Sequence, residues 1–329
     1  MDLRRSVVIV AVAALGMVGA GAPPGGPGDR VPNPRRMVVL HPAEQLGAMI
    51  AASGDVWVDD RARERLLHLD GATGRVRAEI PVNGRIALAA APRAVWVLQS
   101  GGEYGAGLRG PLLRIDPRTD RVRARIALGR DVGRPVLGFG VQALGRDVWI
   151  WGPRDILRVD PRAQRITQRI AMDDRHGELT GFAAAGDRLV AGTADGQLVV
   201  FDARAGTRTG AVSLAIRKPA PRAIAGSRVL FTASGAVGVV DLASGRLSWE
   251  RRLGFRAGAT VGRDGLVWLH SAATNERGDR VTALRLANGR VVTSGILPAF
   301  GSTGIAADAG RVWVGTAGGA LLMLTPFPA

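Results

Sequence analysis

Apolar residues in this chain come in short runs, many alternating with polar ones at period two, and the runs recur from Met37 to Leu324. Period-two alternation puts successive side chains on opposite faces of an extended strand. The clearest marker is one bulky residue inside a Val-rich triplet, at Trp57, Trp96, Trp149, Val190, Leu230, Trp268 and Trp313. The steps between these markers are 39, 53, 41, 40, 38 and 45 residues. A repeat of about 43 residues built from strand signals is the size of one propeller blade. The pattern predicts an all-β chain: a seven-bladed β-propeller with four-stranded blades. Six or eight blades would require a repeat to have been miscounted.

The first repeat shows the logic. Gly47 to Ser53 is small and apolar, as an innermost strand lining a crowded channel should be. Val56-Trp57-Val58 is the second strand, Leu66 to Asp70 the third, and Arg75 to Ile80 the outer fourth. Between the last two, Asp70-Gly-Ala-Thr-Gly74 supplies an Asp to cap turn amides and a Gly for a positive φ. The same turn recurs at Asp116 to Asp120, Asp160 to Gln164, Asp202 to Gly206 and Asp241 to Gly245, while the sixth repeat keeps only Asn288-Gly289. The seventh has strands near Thr303 to Ala307, Arg311 to Thr316 and Ala320 to Thr325, then stops without a fourth. An orphan strand, Arg36 to His41, precedes the first repeat. Pairing the two ends would complete the last blade and close the ring.

The first 22 residues stand outside this pattern. Arg4 and Arg5 precede the uncharged stretch Ser6 to Gly19, and Ala20-Gly21-Ala22 offers small residues at a signal-peptidase site. The apolar run falls short of the roughly 20 residues that span a bilayer. A cleaved export signal over 1–22 is therefore preferred to a retained anchor, with cleavage after Ala22 or after Ala20. With no Cys near the cut, lipid anchoring is excluded. Residues 23–35, rich in Pro and Gly, read as a flexible tether, leaving the propeller at 36–329. At 329 residues one domain can bury roughly three quarters of its unfolded surface, so the absence of disulfides poses no stability problem. The expected location is secreted or in the cell envelope.

Charge adds one question. The net charge is +16, and Lys218 is the sole Lys beside 43 Arg. Such a balance can favour nucleic acid or an anionic polymer. The arginines, however, fall on outer strands: Arg121, Arg123 and Arg125 alternate with Val122, Ala124 and Ile126, and Arg75 with Arg77, Arg165 with Arg169, and Arg251 with Arg252 extend the pattern. Spread around a rim, they are expected to keep the edges soluble and unpaired rather than to form a nucleic-acid groove.

Loop lengths point to a working face. Turns joining first to second strands, and third to fourth, are short, whereas the other two classes share the opposite face and carry the insertions. These are Gly101 to Gly110, Gly129 to Pro135, Met172 to Leu179, Arg217 to Pro221, Ala272 to Asp279 and Ile296 to Ser302. Candidate ligand-binding residues on this face are Tyr104, Arg130, Asp131, Arg134, Asp173, Asp174, His176, Glu178, His270, Asn275 and Glu276. Asp173 to Glu178 is the densest set, with the residue types to hold a hard cation or do acid–base work, but a solvated surface loop is the preferred reading. Of the other His residues, His41 and His68 fall within strands and are expected to be packed or at the rim, and His270 ends a second strand near the channel. No catalytic residue, metal site or cofactor is assigned, because no nucleophile elbow, phosphate loop or zinc spacing occurs.

The runs Asp55-Val-Trp-Val58, Leu112 to Val122 and Leu157 to Pro161 resemble exported bacterial YVTN-type propellers and the broader virginiamycin B lyase-like group. Lyases of that group use His and acidic residues on the channel face, and no such set is matched here. Val240 to Trp249 resembles the Asp-x-x-(Thr/Ser)-Gly-x-x-x-Trp repeat of quinoprotein-type propellers, in which it is a packing motif that often occurs without the quinone. The resulting expectation is a monomeric, non-catalytic exported scaffold that binds a protein or an anionic envelope component. A metal-dependent lyase or hydrolase at the channel mouth is the alternative. Membrane contact is expected only through an uncleaved N-terminal segment.

Overall fold

The computed structural model describes residues 36–100, 110–128, 140–233, 235–253, 257–262, 265–271, 279–297, 301–308 and 310–325. Residues 1–35, with the expected export signal and tether, lie outside them. Among the described residues, 28 strands form seven four-stranded antiparallel sheets. In the first blade the strands run Leu46–Ala52, Asp55–Asp60, Arg65–Leu69 and Val76–Pro81, in sequence order from the axis outward. The innermost strands of successive blades touch one another, and Ser302–Asp308 of blade seven returns to Leu46–Ala52 of blade one.

Closure follows the predicted route. Arg36–Leu40 is the fourth strand of blade seven, paired antiparallel to Leu321–Thr325 with Val38 opposite Met323 and Leu40 opposite Leu321. Trp313 lies opposite Met323 on the other side, so Val38 and Trp313 sit in one cross-strand row. Strand Arg36–Leu40 ends one residue before His41, which is exposed; the expectation of a strand position for His41 is corrected accordingly.

The core is distributed rather than central. Seven apolar clusters each draw on two adjacent blades, one cluster per seam. The marker residue of each blade, Trp in five of the seven and Val190 and Leu230 in blades four and five, faces the next blade: Trp57 packs with Val95 and Leu113, and Trp313 closes the ring against Val56 and Leu67. Trp57, Trp149 and Trp313 are fully buried. Truncating a side chain of this kind costs about 3–5 kcal/mol, so the recurring aromatic is the main fastener between blades.

The short turns behave as their composition requires. Asp70 Oδ1 accepts from the amides of Ala72 and Thr73 at 2.9 and 2.8 Å. Asp160, Asp202 and Asp241 each cap two turn amides in the same way. One or two residues before the fourth strand the backbone turns left-handed, at Gly74, Gly206, Gly245 and Gly289, but also at Asp120 (φ 58°) and Gln164 (φ 51°). A register slip beside the turn follows in all six blades built this way. A turn with a left-handed residue and a bulge is a standard three-to-four-residue hairpin solution. Blade seven, whose last strand arrives from the other terminus, pairs without the slip.

The outer-strand arginines are exposed, and several are engaged. Arg77 bridges Asp55 and Asp70, Arg123 reaches Asp116 at 3.1 Å, and Arg169 reaches Asp155 at 2.6 Å. Pairs this exposed contribute about 0–1 kcal/mol each, but they offset local charge and mask the sheet edges.

Candidate functional site at the channel mouth

Two residues after each repeat marker, the second strand reaches the long-loop end of the channel. These positions are Asp59, Leu98, Trp151, Gly192, Thr232, His270 and Gly315. The innermost strand opposes them with small residues: Ala87 faces Leu98, Gly140 faces Trp151, Gly181 faces Gly192, Ala220 faces Thr232, Gly258 faces His270 and Gly304 faces Gly315. In blade one the register slips between Leu46 and Met49, and Asp59 lies over Gly47. The absent side chains make room. A Cβ on Gly258 would stand 2.1 Å from His270 Nε2, and one on Gly47 would stand 2.2 Å from Asp59 Oδ2. Small residues on the inner strand thus let polar side chains of the second strand lean over it toward the channel.

Two parts of this layer carry charge. In blade one, Asp59 and Asp60 are both fully buried, and a 3-10 turn, Arg61–Arg63, follows them. Burial pushes the Asp59 carboxyl up to about 6, against the pull of the Arg61 guanidinium 3.4 Å away. Asp60 is held by Arg65 at 2.8 Å, and Arg65 also binds Glu79.

The second charged region joins blades five and six. Arg222 is the extra residue of a bulge, between Pro221 opposite Phe231 and Ala223 opposite Leu230. Bulges re-aim side chains, and here the Arg222 Nε donates to Thr232 Oγ1 at 2.9 Å. Its side chain is exposed to water, although protein atoms around it draw the guanidinium pKa below its ordinary value. His270 is 6 % exposed, and its Nδ1 has no hydrogen-bond partner among the described residues. Burial depresses the ring pKa to about 4; the charge of Asp279 pulls it up and that of Arg222 pushes it down further. The imidazole is therefore neutral near pH 7. Asp279 itself accepts from the Ser302 amide at 2.6 Å and from its hydroxyl at 2.5 Å, tying blade six to blade seven.

Residues 175–295 match the family described as outer membrane protein assembly factor BamB. The matched segment spans blades four, five and six, a little over a third of the chain. No curated protein matches the chain. Together with seven-bladed closure, the match supports a quinoprotein-type β-propeller.

Within the matched segment the quinoprotein-type repeat performs a packing job. Trp249 donates its indole N–H to the Leu286 carbonyl of the next blade at 2.9 Å, and its ring covers Gly289. Gln168 makes the equivalent tie from blade three, donating to the Ala205 carbonyl at 2.8 Å beside Gly206. His68 does similar work from blade one: it stacks on Trp57 at 4.1 Å and contacts Asp55 and Asp120 at 3.0 and 2.7 Å.

The residues singled out in the sequence fall in different places. Tyr104, Arg130, Asp131, Arg134, Asn275 and Glu276 lie outside the described residues, as does the side chain of Asp174. Asp173 is exposed and binds the side chain and amide of Arg175. His176 contacts Asp195 at 3.0 Å, and Glu178 is exposed. Asp173 is thus satisfied within its own loop by Arg175 and His176 by Asp195 of blade four, and blades four and five separate the loop from His270. Among the described residues no three His, Asp or Glu residues converge as a metal-binding group. A pocket of about 400 Å³ opens between blades four and five at the short-turn side, lined by Asp187, Phe201, Asp202 and Leu242. It lies away from the charged channel-mouth residues, which are the better candidates because Asp59 Oδ1 and His270 Nδ1 are buried there without a hydrogen-bond partner among the described residues. Asp59 and Arg222 were missed in the sequence, yet Asp59 was findable: it stands two residues after a repeat marker, the offset that also places His270.

Proposed function

We propose that the protein is an exported, non-catalytic propeller scaffold that binds a protein partner in the cell envelope through its long-loop face. The observation that carries this reading is the match of blades four to six to a family described as an outer membrane protein assembly factor. The surface chemistry supports it. Rim arginines such as Arg77, Arg123 and Arg169 are held by carboxylates, which favours a protein partner over an anionic polymer. On the long-loop face Asp173, Arg175 and Glu178 are exposed in mixed charge, as at the polar rim of a protein interface.

The test is a photo-crosslinking residue placed at Glu178, on the long-loop face, or at Arg204, on a short turn, in cells producing the whole chain. Crosslinks to an envelope protein from position 178 and not from 204 are expected, together with cytoplasmic retention when residues 1–22 are removed. Equal crosslinking from both positions, or none from 178, refutes the assignment of the face. Envelope delivery without residues 1–22 refutes the export signal.

A further inference from the structure

Arg222 is a cation without a carboxylate partner among the described residues, placed by a bulge where the channel opens. Thr232 occupies its Nε and holds the guanidinium plane, which leaves the Nη edge available. Across the seam, strand Ala257–Val261 of blade six touches both Ala220–Ala225, which carries Arg222, and Arg228–Ala233, which carries Thr232, and His270 lies over Gly258 of that strand. Its buried Nδ1 is unsatisfied among the described residues, an expense that a folded protein usually offsets with a ligand or water. Asp279, the acid nearest the ring in its electrostatics, is turned to Ser302.

We propose that Arg222 and His270 form a seat for a carboxylate group at the channel mouth between blades five and six. A guanidinium edge is matched in geometry to a carboxylate, which it binds through two parallel N–H bonds. The neutral imidazole adds one N–H donor and no second charge. A singly charged carboxylate balances this site, whereas a phosphate dianion would leave charge unmatched beside Asp279. The seat is independent of the partner-binding reading, since a small acid can occupy it with no protein docked.

The carboxylate can come from a small organic acid or from an acidic side chain of a protein, and the test separates them. The wild-type chain is titrated with sodium acetate, sodium succinate or an acidic hexapeptide against sodium chloride at constant ionic strength, following the His ring signals by NMR. With four His in the chain the His270 resonance is assigned by a single substitution. A saturable shift of His270 is expected, and Arg222→Gln should weaken it about tenfold or more. Arg222→Lys should retain part of the affinity, because charge survives while the two-pronged geometry is lost, and it serves as the second variant if Arg222→Gln does not fold. Arg75→Gln, on the rim, should change nothing. Response to acetate or succinate assigns a small acid, and response to the peptide alone assigns a protein side chain. A response equal to that of chloride, or one untouched in both Arg222 variants, overturns the proposal.

Discussion

Replacing Asp59 by Asn should make the protein more stable at pH 8 than at pH 4 relative to wild type. The Asp59 side chain is 1 % exposed, and burial raises its pKa from 3.8 to about 6. The folded state therefore holds this proton more tightly than the unfolded chain does. Its contribution to stability is present in full below pH 3.8 and is lost as pH rises through about 6. At 1.36 kcal/mol per pH unit the loss amounts to about 3 kcal/mol, already net of the attraction of Arg61. Asn has the shape of the neutral acid and does not titrate, so it escapes that loss. The assay is urea unfolding followed by Trp fluorescence at pH 4, 6 and 8, reported as variant minus wild type. Taking the difference matters because His270 slopes the other way. Its pKa is depressed from 6.5 to about 4, so its contribution is present above pH 6.5 and lost as pH falls toward 4. Between pH 4 and 6 the two oppose each other in the wild-type curve. A difference that stays level within about 0.5 kcal/mol, or falls with rising pH, would show that Asp59 is not a buried carboxylate held at a cost.

Three further outcomes follow from packing. Leu40→Ala, in the strand that closes the ring, should cost about 2–4 kcal/mol in urea unfolding, because Leu40 is 7 % exposed and packs in the seam with Trp313. Gln164→Gly should raise the melting temperature slightly, by about 0.5 kcal/mol of stability, since φ at this residue is 51° and glycine removes the Cβ strain at an entropic cost. Gly258→Ala should destabilise by about 1–3 kcal/mol and displace the His270 ring signals, because the new Cβ would stand 2.1 Å from Nε2.

The blades were legible in the sequence because strand alternation and turn chemistry are local. Trp57 announced a second strand by its Val neighbours, and Asp70 with Gly74 announced a hairpin whatever the rest of the chain did. The missing last strand of blade seven could be supplied only by Arg36–Leu40, and pairing with Leu321–Thr325 supplied it. The left-handed positions at Asp120 and Gln164 were less legible: both residues tolerate a conformation that glycine adopts freely, so composition alone did not mark them. The site was legible only in part. Asp173, His176 and Glu178 attracted notice because they are close in sequence, and closeness in sequence lets such a loop satisfy itself, as Asp173 does with Arg175.

By itself, then, the sequence determined the repeat, the number of blades, the capped turns and the means of closure, all of which depend on neighbours within a few residues or on one unfilled strand. The tertiary structure decided that Asp59 is buried over Gly47, that Arg222 is the bulge residue, and that His270 leans across Gly258 on the strand that touches Arg222's blade. Those facts depend on register between strands and on which blade lies next to which. Desolvation and charge coupling are properties of that three-dimensional neighbourhood, and no spacing along the chain encodes them.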